Sequence, residues 1–407
     1  MPINETVSAP PAMIQSASHQ GRWLNLVAHL DPRFGGISAM LPSFCEAVGG
    51  MGRHRLSIGA FCAAQEQYEI SKYVSVKRFP EGMGAWLRRP ELRAELRTAI
   101  DASDGIHIHG LWREHCAFGS AMARNAGKPY LISAHGMVDT WAVRNKRWKK
   151  MLYAALVEKR NLTHASCLHA LTAAEAGDYR RMGLKNPIAI VPNGVAVPAQ
   201  ANAEDFLCDF PSLRGKRILL FLARIHFKKG LDPLCRAWAK SGVDGNLQLV
   251  LAGPDFEGTR SRVERLVSEL GIDANVTFTG MLSGKQKWGA LAAADAFTLP
   301  SYSEGLSVSV LEAMAMGLPA IVTRQCNVPE VRTANCGWEI EPGLPRLIAA
   351  IEQWKESAPA SLRQLGANGR HIAQERYSWE SVGRQMSSVY DWLLGGQRPQ
   401  AADVRFG

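Results

Sequence analysis

The segment Glu304-Gly-Leu-Ser-Val-Ser-Val-Leu-Glu312-Ala-Met-Ala-Met-Gly317-Leu-Pro319 limits the fold more than any other stretch of the chain. It follows Ala296-Phe-Thr-Leu-Pro300, a short apolar run that reads as a buried strand. Ser307 to Met316 carries a helical pattern, which Gly317 can stop and Pro319 cannot continue. A strand turning through a short loop into a helix is a corner of an open α/β sheet. In such sheets ligands bind at the carboxyl ends of the strands. Glu304 stands before the helix and Glu312 within it, so the two carboxylates reach different parts of one ligand. The N–H groups of Gly305, Leu306 and Ser307 are expected to be free at the helix start, where the dipole favours an anion such as a diphosphate. Neither carboxylate can neutralise that anion, so cations must come from elsewhere.

They stand about eighty residues earlier in the chain. Ile218-Leu-Leu-Phe-Leu-Ala223 reads as a buried parallel strand and runs directly into Arg224-Ile-His-Phe-Lys228-Lys229-Gly230-Leu-Asp232, then a helical pattern through Trp238. Arg224 and Lys229 therefore leave the carboxyl end of a strand. A guanidinium fork with an ammonium group suits a diphosphate.

Four motifs now stand in order over residues 215–335: Arg224-x4-Lys229-Gly230, Gly253-Pro254 after the run Leu249-Val-Leu-Ala, Phe278-Thr-Gly280, and Glu304-x7-Glu312. Together they resemble the nucleotide-binding half of the retaining glycosyltransferases of family 4. The resemblance implies the GT-B fold, an α/β architecture of two Rossmann-like doubly wound domains facing a central cleft. It also implies a nucleotide-sugar donor, a UDP- or GDP-sugar, and no further cofactor. Glu304 would hold donor-sugar hydroxyls and Glu312 the ribose. Arg224, Lys229 and the amides of Gly305, Leu306 and Ser307 would hold the diphosphate, while the base would sit near Gly253 to Asp255 and Met281-Leu282-Ser283. Ser307 departs from the family pattern, in which glycine or proline is common, but serine can occupy a helix N-cap.

The N-terminal half fits a second Rossmann-like domain. Trp23-Leu-Asn-Leu-Val-Ala28 reads as its first strand, leading through Gly35-Gly36 into a helix from Ile37 to Val48. A Gly-Gly loop opening a helix lets the backbone approach a phosphate or sugar closely, and the resemblance places such a loop beside the donor. Further strands read at Arg55–Gly59, Ile106–His109, Tyr130–Ser133, Cys167–Leu171 and Ile188–Val191. Thr172-Ala-Ala-Glu175 has the form of a capping box. His135 follows a strand in Ser-Ala-His-Gly and should face the cleft; the resemblance gives it a hydrogen bond to the donor sugar. The other reading is a histidine bonded to its own loop. Trp112, in His109-Gly-Leu-Trp112-Arg113, could stack on an acceptor sugar or pack in the core.

The expected organisation is a disordered tail at 1–20, an acceptor-side domain at 21–198 and a nucleotide-sugar-binding domain at 212–376. A final helix at 377–396 would pack back on the first domain. The eight cysteines have no Cys-x-x-Cys spacing, which argues against a zinc site and a disulfide framework and fits a reducing cytosol. His107 and His109 share a strand face, but no third ligand is evident, and no Asp-x-Asp sequence offers to hold a metal. Binding without metal is expected.

The net charge of +10 is densest from Arg144 to Arg160, where bases alternate with Trp148, Leu152 and Tyr153. Such a helix can lie on an anionic membrane, at the inner face of the plasma membrane, and present the cleft to a lipid-linked glycan. A solvated basic face is the plainer reading. No nucleic-acid module is present. The expected activity is transfer of a hexose-type sugar to a glycan or lipid-linked glycan, in bacterial exopolysaccharide or lipopolysaccharide assembly. A GT-B sugar-nucleotide epimerase or a non-catalytic nucleotide- or glycan-binding scaffold would use the same residues.

Overall fold

The computed structural model describes residues 20–31, 36–61, 74–79, 90–138 and 157–407. The expected tail lies outside them except for Gln20, which donates to Gly52 O at 2.6 Å and accepts from Arg55 Nε at 2.9 Å. Two sheets organise the chain. The first contains β1 (Gly21–Val27), β2 (His54–Phe61), β3 (Val74–Phe79), β4 (Gly105–His109), β5 (Tyr130–Ser133), β6 (Cys167–Ala170) and β7 (Ile188–Ile190). The second contains β8 (Arg217–Leu222), β9 (Leu247–Ala252), β10 (Val276–Gly280), β11 (Ala296–Leu299), β12 (Ala320–Thr323) and β13 (Gly337–Ile340). A last strand, β14 (Asp403–Arg405), returns to the first sheet and pairs antiparallel with β7.

The first sheet runs β14-β7-β6-β5-β4-β1-β2-β3 and the second β10-β9-β8-β11-β12-β13. All other pairings are parallel. Strand order reverses at β1/β4 in one sheet and at β8/β11 in the other. Each reversal opens a crevice at the carboxyl ends, because successive connections leave toward opposite faces there. Continuous apolar runs make this possible. From Ile218 to Phe221 every residue of β8 is at most 2% exposed, as a strand covered on both faces must be.

Seven helices shape the cleft and the joining of the lobes: α1 (Gly36–Gly50), α2 (Ala173–Arg181), α3 (Leu231–Lys240), α4 (Gly284–Ala293), α5 (Val308–Ala315), α6 (Pro359–Arg376) and α7 (Trp379–Leu393). Helix α7 leaves the second lobe and packs on the first. Its helical-period residues Val382, Met386, Val389 and Tyr390 bury in one core with Leu41, Phe44 and Val48 of α1. Each fully buried apolar side chain of this size contributes about 1.5–3 kcal/mol. Tyr390 stacks on Trp23 of β1, with centroids 3.9 Å apart and planes 9° from parallel. The strands β3 and β14, both on edges of the first sheet, and β12 and β13 of the second are not foreseen by the sequence pattern.

Candidate active site

In the second lobe the loops after β8 and β11 are fastened together. Gly230 has φ +73°, and a Cβ there would lie 2.1 Å from Pro300 O, so the Lys-Gly turn needs glycine to rest on the end of β11. Tyr302 N donates to Lys228 O at 2.7 Å across the same seam. Lys229 Nζ thereby meets Glu304 Oε1 at 2.5 Å, with both side chains about 15% exposed or less. Arg224 lies over the Phe256 ring, 5.0 Å from its centroid. Gly253 serves backbone packing: at φ +148° its Cβ would stand 1.9 Å from Ala223 O.

Two of the three expected free amides are present. Gly305 and Leu306 have N–H groups without a partner among the described residues, but Ser307 N donates to Cys326 O at 3.2 Å. The helix begins one residue later than the pattern suggested, at Val308. Ser307 occupies the N-cap position without capping through its side chain, and its Oγ lies 3.3 Å from Ser309 Oγ. Asn327 Nδ2 donates to Glu304 O at 2.6 Å and Gly305 O at 3.0 Å, which holds the loop in place. Glu312 on α5 accepts from Lys287 Nζ of α4 at 2.7 Å. Lys287 was not singled out from the sequence. Met281 and Leu282 part company: Met281 is 67% exposed, whereas Leu282 turns into the lobe's core.

In the first lobe the capping box is only half formed. Thr172 Oγ1 accepts from Glu175 N at 3.2 Å, but the Glu175 carboxylate accepts from Leu171 N at 2.8 Å and Gly136 N at 2.6 Å. It thus ties the loop after β5 to the loop after β6. Burial pushes Glu175 up to about 7, against the pull of those two bonds. His135, in the same β5 loop, adopts φ +52°. Its Nε2 lies 3.1 Å from His109 Nδ1, so it is bonded to a neighbouring strand's side chain and not to its own loop. Trp112 does not reach the cleft but packs on the first lobe's core. Its neighbour Arg113 lines the cavity instead, donating to His29 Nε2 at 3.2 Å.

A cavity of about 440 Å³ joins the two crevices. From the first lobe it is lined by His29, Gly36, His109, Arg113 and His135, and from the second by Arg224, Glu304, Gly305 and Leu306. A Cβ at Gly36 would meet nothing within 4 Å, so this backbone is open to a close ligand. Across the cleft the lobes approach closely at two glycines, where a Cβ on Gly136 would be 3.0 Å from Gly305 Cα. Lys229 reaches the cavity through Glu304. Glu312, Ser307, Gly253, Met281 and Leu282 are not part of its lining. Gly35 and residues 144–156 of the basic stretch lie outside the described residues.

Residues 209–372 match the family described as Glycosyl transferases group 1, and residues 35–194 match the Glycosyl transferase 4-like domain. The chain belongs to the group 1, family 4 glycosyltransferases. This glycosyltransferase is 34% identical over 172 residues to the MMP alpha-(1->4)-mannosyltransferase of Mycolicibacterium hassiacum, a match spanning 40% of each chain. Over 403 residues it is 24% identical to the GDP-mannose-dependent alpha-(1-6)-phosphatidylinositol monomannoside mannosyltransferase of Mycolicibacterium smegmatis, covering 90% of this chain and 96% of that one. Its fold is similar to Anabaena HepE in complex with UDP-glucose, with a TM-score of 0.73 at 19% identity, covering 91% and 100% of the two chains. The architecture is GT-B.

The electrostatics of the glycosyltransferase divide by lobe. The second lobe's wall carries Arg224, the Lys229–Glu304 pair and two unpartnered amides. The first lobe's wall is rich in neutral imidazoles, with the Arg113 guanidinium beside them. Burial, with the neighbouring His169, depresses His135 to about 3, and burial holds His115 near 4. His109 is pushed well below the ordinary histidine value, first by burial and then by the rings around it. A wall of neutral imidazoles carrying one guanidinium therefore faces the charged second lobe across the cavity. Such a pairing suits a ligand with one anionic and one hydroxyl-rich end.

Proposed function

We propose that the protein transfers a hexose-type sugar, with retention of configuration, from a GDP- or UDP-sugar to a glycan or lipid-linked glycan. The observation that carries this reading is the Lys229–Glu304 contact, set beside Arg224 and the amides of Gly305 and Leu306, at the reversal point of the second sheet. The donor's diphosphate lies against Arg224 and these amides. On binding it shares Lys229 with Glu304, whose carboxylate then accepts from sugar hydroxyls. Glu312, oriented by Lys287, accepts from the ribose. As the anomeric C–O bond breaks, negative charge builds on the leaving phosphate oxygen. Preorganised cations and amides stabilise that charge in a site with little water.

The same leaving phosphate takes the acceptor's proton, so the acceptor enters from the face that the nucleotide leaves. The cations and the helix start meet the phosphate's charge without a metal. His135 and Arg113 contact the sugar and acceptor from the first lobe. The lipid-linked acceptor is supported by the M. smegmatis relative, whose name gives a phosphatidylinositol monomannoside, and by the exposed end of the basic stretch at Lys159 and Arg160. Among the described residues no helix is long and apolar enough to cross a membrane, so contact with a bilayer would be peripheral. Assembly of a bacterial surface polysaccharide is the pathway class that fits.

The test is a screen of GDP-, UDP- and ADP-sugars for thermal stabilisation, followed by transfer assays with the best donor. At a hundredfold excess over Kd a true donor adds about 2.7 kcal/mol. Glu304→Ala should lower turnover by about 10²–10³ while the nucleoside diphosphate still binds. The anomeric configuration of the product, read by NMR, tests retention. A product formed from donor alone would indicate an epimerase, and donor binding without any turnover would leave a scaffold.

A further inference from the structure

Beneath the cleft, a set of buried polar side chains has a hydrogen-bond direction fixed atom by atom. It begins at two groups whose roles are set. Val191 O can only accept, so His169 Nε2, 2.7 Å away, carries a proton and donates. His169 is neutral because burial holds it near 4, which leaves Nδ1 bare. Ser133 Oγ, at 2.5 Å, donates to that nitrogen. Having spent its proton, Ser133 accepts from His107 Nε2 at 2.6 Å; Tyr390 OH donates to His107 Nδ1 at 2.8 Å, the nearer of its two acceptors, Asn25 Oδ1 lying 3.4 Å away.

The second chain starts at Asn25. Its amide nitrogen is directed toward Ser57 O at 3.5 Å, which turns Oδ1 toward His109. His109 Nε2, 3.1 Å from that oxygen, must donate. The proton cannot also be on His109 Nδ1 in a neutral ring, so the 3.1 Å contact to His135 Nε2 needs the hydrogen on His135. The rings of His107 and His109 lie 4.0 Å apart, so a proton added to either would face the other. Both chains therefore close with every imidazole neutral. His135 Nδ1 is left without a partner among the described residues, on a ring that lines the cavity.

We propose that His109, held by Asn25, is a positioning residue. It fixes His135 with Nε2–H directed inward and the Nδ1 lone pair offered to the cavity, so that His135 accepts a hydrogen bond from a ligand hydroxyl and cannot donate one. The hydroxyl belongs to the donor sugar if the cavity is the donor site, and to that extent the inference rests on the function proposed above. The tautomer rests on the hydrogen-bond geometry.

The two parts are tested separately. In the intact, ¹⁵N-histidine-labelled protein, long-range ¹H–¹⁵N spectra should show His135 with a protonated Nε2 and a bare Nδ1, assigned by its disappearance in His135→Ala. Asn25→Leu removes the acceptor that sets the chain. It should turn His135 into a mixture of tautomers and lower kcat/KM about tenfold, equivalent to one misdirected hydrogen bond. Ser133→Ala breaks the other chain without touching Asn25 and should leave the His135 tautomer unchanged, which separates positioning from general damage to the core. A protonated Nδ1 on His135 in the wild-type protein would overturn the proposal, as would an Asn25→Leu protein with the wild-type tautomer and rate. If Asn25→Leu does not fold, the wild-type spectrum alone decides. If the tautomer is as stated but no donor sugar is turned over, the cavity's assignment fails and the hydrogen-bond order stands.

Discussion

Acid should unfold the first lobe early, and the buried imidazoles set how early. His107, His109, His115, His135 and His169 are all held below the ordinary histidine value of 6.5 by burial, to about 3 for His135 and about 4 for His115 and His169. A histidine with a depressed folded value contributes stability that is fully present above 6.5 and is lost as pH falls toward the folded value, because only the unfolded chain takes up the proton. Each ring then costs roughly 1.4 kcal/mol per pH unit below 6.5. Between pH 7.5 and 5.5 the loss does not depend on how far each folded value lies below 5.5, so five rings cost roughly 7 kcal/mol. Glu175 works the other way. Its folded value of about 7 lies above the unfolded one, so its stability is present at low pH and fades as pH rises through 7, returning roughly 2 kcal/mol over the same window. The net loss is roughly 5 kcal/mol, comparable to the whole stability of many domains. Urea unfolding followed by tryptophan fluorescence at pH 7.5, 6.5 and 5.5, at constant ionic strength, measures it. A first-lobe unfolding free energy that changes by less than about 1 kcal/mol over this range would refute the neutral-imidazole account. His169→Gln removes one titrating ring and should reduce the acid loss by roughly 1 kcal/mol.

Three further outcomes concern the site and its support. Lys287→Met leaves the Glu312 carboxylate without its cation and should raise the donor KM about tenfold with kcat little changed, as steady-state kinetics would reveal; equal loss in kcat would place Glu312 at the reacting centre. Gly136→Ala adds a methyl group at φ +78° against Gly305 Cα. Turnover should drop at least about tenfold, through impaired approach of the lobes, while the second lobe's unfolding midpoint stays within error; an unaffected rate would mean that the glycine contact is not part of the working state. Tyr390→Phe takes the donor from His107 Nδ1 and should cost about 1–3 kcal/mol in urea unfolding, the penalty of a buried group left unpaired.

Much of the second lobe was legible because its turns place chemical demands on particular positions. Gly230 and Gly253 stand where any side chain would strike a backbone carbonyl, so the sequence displays them next to Lys229 and Ala252. Lys287 showed nothing of this kind: it lies on another helix, and only tertiary packing brings it to Glu312. The Thr-x-x-Glu pattern at 172–175 reports local hydrogen bonding, but it cannot show that Leu171 N and Gly136 N win the carboxylate. Trp112 was ambiguous because a tryptophan after a strand serves a cleft and a core equally well. The two edge strands of the first sheet escape for opposite reasons. β3 carries Lys77 and Arg78 on a half-covered edge and lacks a buried strand's apolar run, and β14 is three residues long. The strand period puts the paired histidines of β4 on one face, where their rings lie 4.0 Å apart; what that face touches is set by Asn25, Ser133 and Tyr390 from three other elements.

The chain crosses between its lobes twice, and the two crossings are stitched to each other. Val195 N donates to Tyr377 O at 2.7 Å, Val195 bridges Ser378 in parallel, and the Trp379 ring lies where a Cβ on Gly194 would be, 2.4 Å from its nearest atom. Any change in the angle between the lobes must therefore be absorbed at one place, because both crossings run through this seam. A side chain added at Gly194, where the Trp379 ring already lies, would press on both crossings at once.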